Sequence, residues 1–245
     1  MPKKVKILWV FCCVFIFIGF VYLTMVERQE ETEIRKEQRA VRLQQRKEEK
    51  QKKLKKDSQV QQMVAQIKEL NALGEYDKAS AMAAEAVEKE PNSALIYTWW
   101  GKSLVNQGKT KEALEKFIRS TQIDPNQAKT YIYWGLTLAL ENKHEEAIDK
   151  YENALLLKPH SSSAYASWGA SLNNLKKYDE AIKKLEESLE FNPKNRIAYG
   201  VLVDSYFHKG EYANAWSTVK RARKAKIEIS AASLKRLADA SPEPK

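Results

Sequence analysis

Residues 128–161 read AKTYIYWGLTLALENKHEEAIDKYENALLLKPHS, and residues 162–195 read SSAYASWGASLNNLKKYDEAIKKLEESLEFNPKN. Laid one under the other, these stretches of 34 residues pair Tyr131 with Tyr165, Trp134-Gly135 with Trp168-Gly169, Ala147 with Ala181 and Pro159 with Pro193. A fixed period of that length marks a stack of equal helical units, not one compact core. Working outward, the same phase holds Pro91 and Pro125, Tyr97 and Tyr199, Trp100 and Leu202, Gly101, and Ala79, Ala113 and Ala215. Each unit reads as two helices joined by a tight turn. Gly74, Gly108 and Gly210 stand at that turn, where a helix commonly ends in a left-handed residue. Asn142 is a tolerated substitute there, and Lys176 is the exception. The closing proline cannot continue a helix, so it separates one unit from the next. A large aromatic recurring at one phase is expected to be packing, so Trp100, Trp134 and Trp168 are read as core.

The order of aromatic, three-residue step, Trp-Gly, later Ala, aromatic and closing Pro resembles the tetratricopeptide repeat (TPR) family. The resemblance covers five units, 60–93, 94–127, 128–161, 162–195 and 196–229, within a repeat domain of 58–229. The middle three match specifically. In the first unit Met63, Gln66 and Ile67 occupy the Tyr, Trp and Gly columns, and in the last Val203 replaces the Gly and Ile227 the Pro. Terminal repeats are often atypical because one of their faces has no neighbour. Residues 230–245 read as a cap helix and tail, with Ser230 as an N-cap.

The 42 Lys and Arg against 32 Asp and Glu give a formal net charge of +10. The excess is uneven: 1–57 carry fifteen basic against eight acidic residues, while 58–245 carry 27 against 24. After a basic flank over 1–6, residues 7–26 form an uncharged run of twenty, roughly 30 Å as a helix, which matches a bilayer core. It lacks the small-x-small cleavage site of a signal peptide. The expectation is a single transmembrane anchor and a single-pass membrane protein, with the exported (periplasmic or luminal) side slightly preferred for the repeats over the cytoplasm. The two cysteines, Cys12 and Cys13, both fall inside that run, so no disulfide framework is available to the rest.

Residues 27–57 have no Gly or Pro and few apolar residues, and read as a charged helical spacer. Ile34 and Val41 are seven apart, but no sustained heptad follows, so a coiled coil is left open. Arg46, Lys47, Lys50, Lys52, Lys53, Lys55 and Lys56 form a basic cluster that suits an anionic surface. Without interleaved aromatics it does not suit nucleic acid, which is not an expected partner.

Catalytic signals are not found. Gly101-Lys102-Ser103 and Gly108-Lys109-Thr110 lack the earlier glycine of a phosphate loop, and Ile148 stands where a zinc-binding helix starting at His144 needs a second histidine. No cofactor, metal or enzymatic activity is expected. The fold class is then all-α: a right-handed superhelix of TPR-type hairpins, preceded by the transmembrane helix and the charged arm.

The resemblance also implies where a partner binds, in a concave groove lined by the first helix of each unit. Its positions here are Leu95, Thr98, Trp99, Lys102, Lys129, Ile132, Tyr133 and Leu136, continued by Ser163, Ala166, Ser167, Ala170, Ile197, Gly200, Val201 and Asp204. Family members that grip chaperone C-terminal carboxylates use Lys, Asn and Arg at places that hold Thr98, Lys102, Tyr133, Ser163 and Ser167 in this sequence, and none matches. The implied function is a membrane-anchored scaffold or adaptor that takes a peptide segment or helix of a partner protein. Two alternatives are a self-associating coat on a membrane compartment and an accessory factor of a secretion or envelope-assembly machine.

Overall fold

The computed structural model describes the backbone over residues 3–244, and side chains from Phe17 to Pro244 apart from 27, 30 and 31. The chain divides into two compact units, Met1–Gln59 and Val60–Lys245. Helix α1 runs from Lys3 to Ala72.

In the first unit the described side chains are almost all exposed, Ile34, Val41, Leu43 and Leu54 included. Its helix is sustained by local pairs such as Lys36–Glu33 at 2.8 Å and Gln44–Glu48 at 2.9 Å, each of which contributes only tenths of a kcal/mol. The expected anchor is corrected here. Among the described residues no helix is long and apolar enough to cross a membrane. The side chains of 7–16, with Trp9, Cys12 and Cys13, lie outside the described residues. The described apolar part, 17–26, is roughly 15 Å of helix, half of a hydrocarbon core, before charge begins at Glu27. A single-pass membrane localisation, on either side, is therefore not supported.

The second unit is a run of antiparallel helix pairs. After α1 come α2 (Tyr76–Lys89), α3 (Ala94–Asn106), α4 (Thr110–Ile123), α5 (Ala128–Leu140), α6 (His144–Leu157), α7 (Ser162–Asn174), α8 (Tyr178–Phe191), α9 (Arg196–His208), α10 (Tyr212–Lys224) and α11 (Ala231–Ala240). The turn after the first helix of each pair is closed in one way. The left-handed residue donates to the carbonyl three back, and the next residue to the carbonyl five back, as in Gly108 to Val105 and Lys109 to Leu104, both 2.9 Å. This pair of hydrogen bonds satisfies carbonyls that a helix end leaves open. Gly74, Gly108 and Gly210 take φ of +77 to +78°, and Asn142 and Lys176 take 59° and 60°. Lys176 is thus held in a conformation that disfavours any residue with a Cβ.

The second helices leave through a non-helical residue with φ of −133 to −145° (Glu90, Asp124, Lys158 or Asn192), and a proline follows. The last unit departs from this. With Ile227 in the proline place, α10 closes through a left-handed Lys226 instead.

Within a pair the core is a lock between two columns. A Cβ on Gly101 would come within 2.6 Å of Phe117, on Gly135 within 2.5 Å of Tyr151, and on Gly169 within 2.6 Å of Leu185. Glycine is required because a large side chain on the second helix fills that space. In the last pair Val203 stands in the glycine column and the smaller Val219 faces it in sequence phase, both buried. Ala113, Ala147, Ala181 and Ala215 are fully buried and set the close approach of the two helices.

The tryptophan column is core in part, each ring packing against two of the buried clusters. Trp100, Trp134 and Trp168 are only half-buried. Trp100 and Trp134 stack on Tyr97 and Tyr131 with ring centroids 6.2 and 6.4 Å apart. All three lie under a lysine: Lys116 at 4.3 Å, Lys150 at 4.5 Å and Lys184 at 4.4 Å from the ring centroid.

Candidate functional site

The groove positions expected from the sequence divide by burial. Thr98 is inside the core, bonded to Ser120 at 2.8 Å and Thr130 at 2.7 Å. Ile132 is 9 % exposed and packs with Ala154 and Ala164. Trp99 is equally buried, in a cluster with Val64, Ile67, Ala79, Ala83 and Ala86 of α1 and α2. Leu95, Lys102 and Tyr133 are half-buried, while Lys129 and Leu136 are exposed. Trp99 and Tyr133 meet edge to face at 5.8 Å. Their rings are covered by cations, Lys68 at 4.9 Å and Lys129 at 5.5 Å from Trp99, and Lys102 at 5.0 Å from Tyr133. Burial, and then the like charge of Lys129, push the Lys102 ammonium below its ordinary value. In the arm, Arg46, Lys47, Lys50, Lys52, Lys53, Lys55 and Lys56 are all exposed on α1.

Beyond Tyr133 the first helices of successive pairs frame a cavity of about 430 Å³. Tyr133, Leu136, Ala139 and Leu140 of α5 form one wall, Ser167, Ala170, Ser171 and Asn174 of α7 another, and Ile197 of α9 the far rim. Lys102 and Asn106 of α3 close the near end, and His144 and Tyr151 of α6 contribute to the lining. The wall is mostly apolar, as ligand sites usually are, with a few convergent polar groups.

Those polar groups are unusual. The Tyr151 and Ser171 hydroxyls are buried as neighbours without a well-formed hydrogen bond, and His144 Nδ1 is buried without a partner. Each such group costs about 1–3 kcal/mol if nothing reaches it. Burial pushes the Tyr151 phenol up to about 12, with the Ser171 hydroxyl acting in the opposite direction. The hydroxyls of Ser103, Thr137 and Ser205, in the Ser171 column, donate at 2.8–2.9 Å to the carbonyl four residues back. Ser171 does not follow them. Tyr151 likewise carries an oxygen where Phe117, Leu185 and Val219 are apolar. Sequence reasoning passed over both, although the signal was there: a tyrosine breaking an otherwise apolar column.

The sequence profile described as tetratricopeptide repeat matches residues 64–128 and 171–228, half of the chain. No curated protein matches. Solved structures with similar coordinates include MamA, at 22 % identity over 64 % of this chain and 92 % of that one, TM-score 0.57. PilF of Pseudomonas aeruginosa is 21 % identical over 72 % of this chain and 82 % of its own, TM-score 0.65. A chain of the anaphase-promoting complex hetero-tetramer Cut9–Hcn1 is 21 % identical over 72 % of this chain and 35 % of its own, TM-score 0.62. At these identities the likeness concerns the fold alone. TPR proteins mediate protein–protein interaction and scaffolding. With the 34-residue period, the glycine-locked helix pairs and the profile match in agreement, the chain belongs to the tetratricopeptide repeat family.

Proposed function

We propose that this protein is a scaffold that holds a segment of a partner protein on the face built by α3, α5, α7 and α9. The observation that carries this reading is the cavity between those helices, which opens beside the exposed Leu136, Leu140 and Ile197. Large apolar side chains exposed together beside a concavity mark interaction sites more often than chance exposure does. Of the residues named from the sequence, Leu95, Lys102, Lys129, Tyr133 and Leu136 are placed to touch such a segment. Thr98, Trp99 and Ile132 support the face from behind.

A photo-crosslinking residue placed at Leu136 of the full-length chain tests this in intact cells, with the same residue at the exposed Lys183 of α8 as its control. The expected result is a discrete adduct from position 136 that position 183 does not give. An adduct joining two copies would make the partner a second molecule of this chain. Adducts of equal yield from both positions would overturn the assignment of the face.

A further inference from the structure

The junctions between successive units are not held alike. Between 60–93 and 94–127, Asn71 donates to the Ser103 hydroxyl and Gln107 to the Tyr76 carbonyl, both at 2.7 Å. Between 94–127 and 128–161, Thr110 donates to Glu141 at 2.7 Å, and the Thr98 and Thr130 hydroxyls bond at the same distance. Between 162–195 and 196–229, Ser205 donates to Asn173 at 2.9 Å and Lys209 to Asp179 at 2.6 Å. Arg221 there pairs with Glu186 through both guanidinium nitrogens at 2.7 Å. The junction between 128–161 and 162–195 differs. Among the described residues it has no well-formed side-chain hydrogen bond or ion pair outside the connecting loop, where Ser161 caps α7.

Two column changes account for this. Ala139 stands in the column of Asn71 and Asn173, whose hydroxyl partners are Ser103 and Ser205. Ser171, in the column of those partners, is left beside the Tyr151 hydroxyl without a well-formed bond. Leu175 stands in the column of Gln107, Glu141 and Lys209, and His144 Nδ1, in the column of Tyr76 and Thr110, is buried without a partner. Both changes fall at the turn end of the junction. The cavity lies there, between Ala139, Leu140 and Asn142 on one side and Ala170, Ser171 and Asn174 on the other. The opposite end is closed: Ile132, Ala154 and Ala164 pack together, and His160 of the connecting loop meets the Phe191 ring at 4.8 Å. Between the two ends the contact is apolar, Trp168 packing on the cluster of Leu138, Ala147 and Tyr151. Apolar contact is non-directional, whereas hydrogen bonds fix an angle.

We propose that this junction is the hinge of the repeat domain. Residues 60–161 and 162–240 move as two rigid blocks, pivoting on the connecting loop and opening at the turns. In a stack coupled only between neighbours, the interface with the weakest coupling yields first. The motion changes the spacing of α5 and α7, and so the width of the face they share. It is a property of the free chain and does not depend on any partner.

Distances between nitroxide labels, read by pulsed electron paramagnetic resonance, test this in the full-length chain carrying Cys12→Ser and Cys13→Ser. Lys78→Cys, Glu112→Cys, Glu146→Cys and Glu180→Cys, introduced in pairs, place labels along one exposed column of the second helices. The pair 78–146 spans two bonded junctions, and the pair 112–180 spans one bonded junction and the hinge. The expected distance distribution is wider for 112–180. Ala139→Asn restores the asparagine column, and Leu175→Glu offers His144 an acceptor as Glu141 does Thr110. Together they should narrow the 112–180 distribution to the width of 78–146. The same two changes should slow amide exchange in the turns 140–143 and 174–177 about tenfold, the equivalent of about 1.4 kcal/mol. Equal widths for the two pairs before any restoration would overturn the hinge, whether or not the double variant folds. A wide 112–180 distribution that a folded double variant leaves unchanged would overturn it too, since the missing bonds would not be its cause.

Discussion

Units 94–127 and 128–161 are built on one plan and differ at its centre. In the first, Phe117 fills the space against Gly101 and is fully buried among apolar neighbours that include Leu104 and Ala113. In the second, Tyr151 fills the same space against Gly135, equally buried, and places a hydroxyl there whose neighbour, the Ser171 hydroxyl, is not in good hydrogen-bonding geometry. One oxygen separates a dry lock from a polar one. A repeat protein specifies its packing many times over, so a single break in a column stands out in a way it does not in an irregular core. Breaks of a local rule such as this one are where a functional site is expected.

The largest effect should come from removing the lock itself. Phe117→Ala empties a fully buried site and is expected to cost about 3–5 kcal/mol, measured by chemical denaturation. In a stack held by nearest-neighbour interfaces such a defect also loosens the coupling between its flanks, so the transition should broaden. Gly135→Ala attacks the same lock from the other side. Its Cβ would lie 2.5 Å from the Tyr151 ring and 3.0 Å from the Ala147 carbonyl, which is backbone and does not yield cheaply. Overpacking of this kind costs about 1–3 kcal/mol. A Gly135→Ala protein as stable as the parent would mean that the two columns are not in the contact described.

Exchanging the two centres tests the difference directly. Tyr151→Phe removes a buried hydroxyl that makes no well-formed hydrogen bond and is expected to stabilise the free protein by about 1 kcal/mol. Phe117→Tyr introduces one and is expected to destabilise by about 1–3 kcal/mol. Opposite signs in thermal melting would sharpen the contrast between the units, and equal signs would abolish it. A smaller gain is expected at Lys176, whose φ of +60° favours glycine. Lys176→Gly relieves about 1–2 kcal/mol of left-handed strain but frees the unfolded chain, for a net gain of about 0.5–1 kcal/mol. The same change at Asn142, a residue type that tolerates this conformation, should do less.

The architecture was legible because it rests on features that repeat. The proline, glycine and alanine columns carry the helix ends, the turns and the close approach of the helices, and each has one physical reason that holds wherever the column is kept. The partial exposure of the tryptophans was not legible in the same way. A period says that a position recurs but not which face it is on, and the size of the tryptophan ring made core the natural reading. The groove residues were read as one face, and their burial was not legible. Thr98 and Ile132 stand in one column with the buried Ala166, and their side chains are taken up by a hydroxyl network and by a core cluster with Ala154 and Ala164. The uncharged run of 7–26 misled for another reason. Length and hydropathy were read as a membrane span, and no such span occurs among the described residues.

The smallest effect concerns the lysines over the tryptophans, and it bears on what the repeat itself selects. Lys116, Lys150 and Lys184 each stand sixteen residues after Trp100, Trp134 and Trp168, and each ammonium lies 4.3–4.5 Å from its ring centroid. Where the tryptophan is missing the lysine is missing as well: Gln66 goes with Met82, and Leu202 with Thr218. The two columns therefore vary together within one chain, as expected if the cation and the ring act as a pair across the two helices. At half-exposed sites a cation–π contact contributes about 0.5–1 kcal/mol, which is small beside the core lock. A double-mutant cycle between Trp134→Leu and Lys150→Met isolates it, since both replacements keep apolar bulk and remove the ring or the charge. The expected coupling is about 0.5–1 kcal/mol in denaturation at low salt. Because the ring supplies a quadrupole and not a full charge, the coupling should persist at high salt better than that of a surface ion pair such as Lys36–Glu33. A coupling of zero would reduce the lysine column to solvated side chains lying over the rings, and the shared period of the two columns would need another cause.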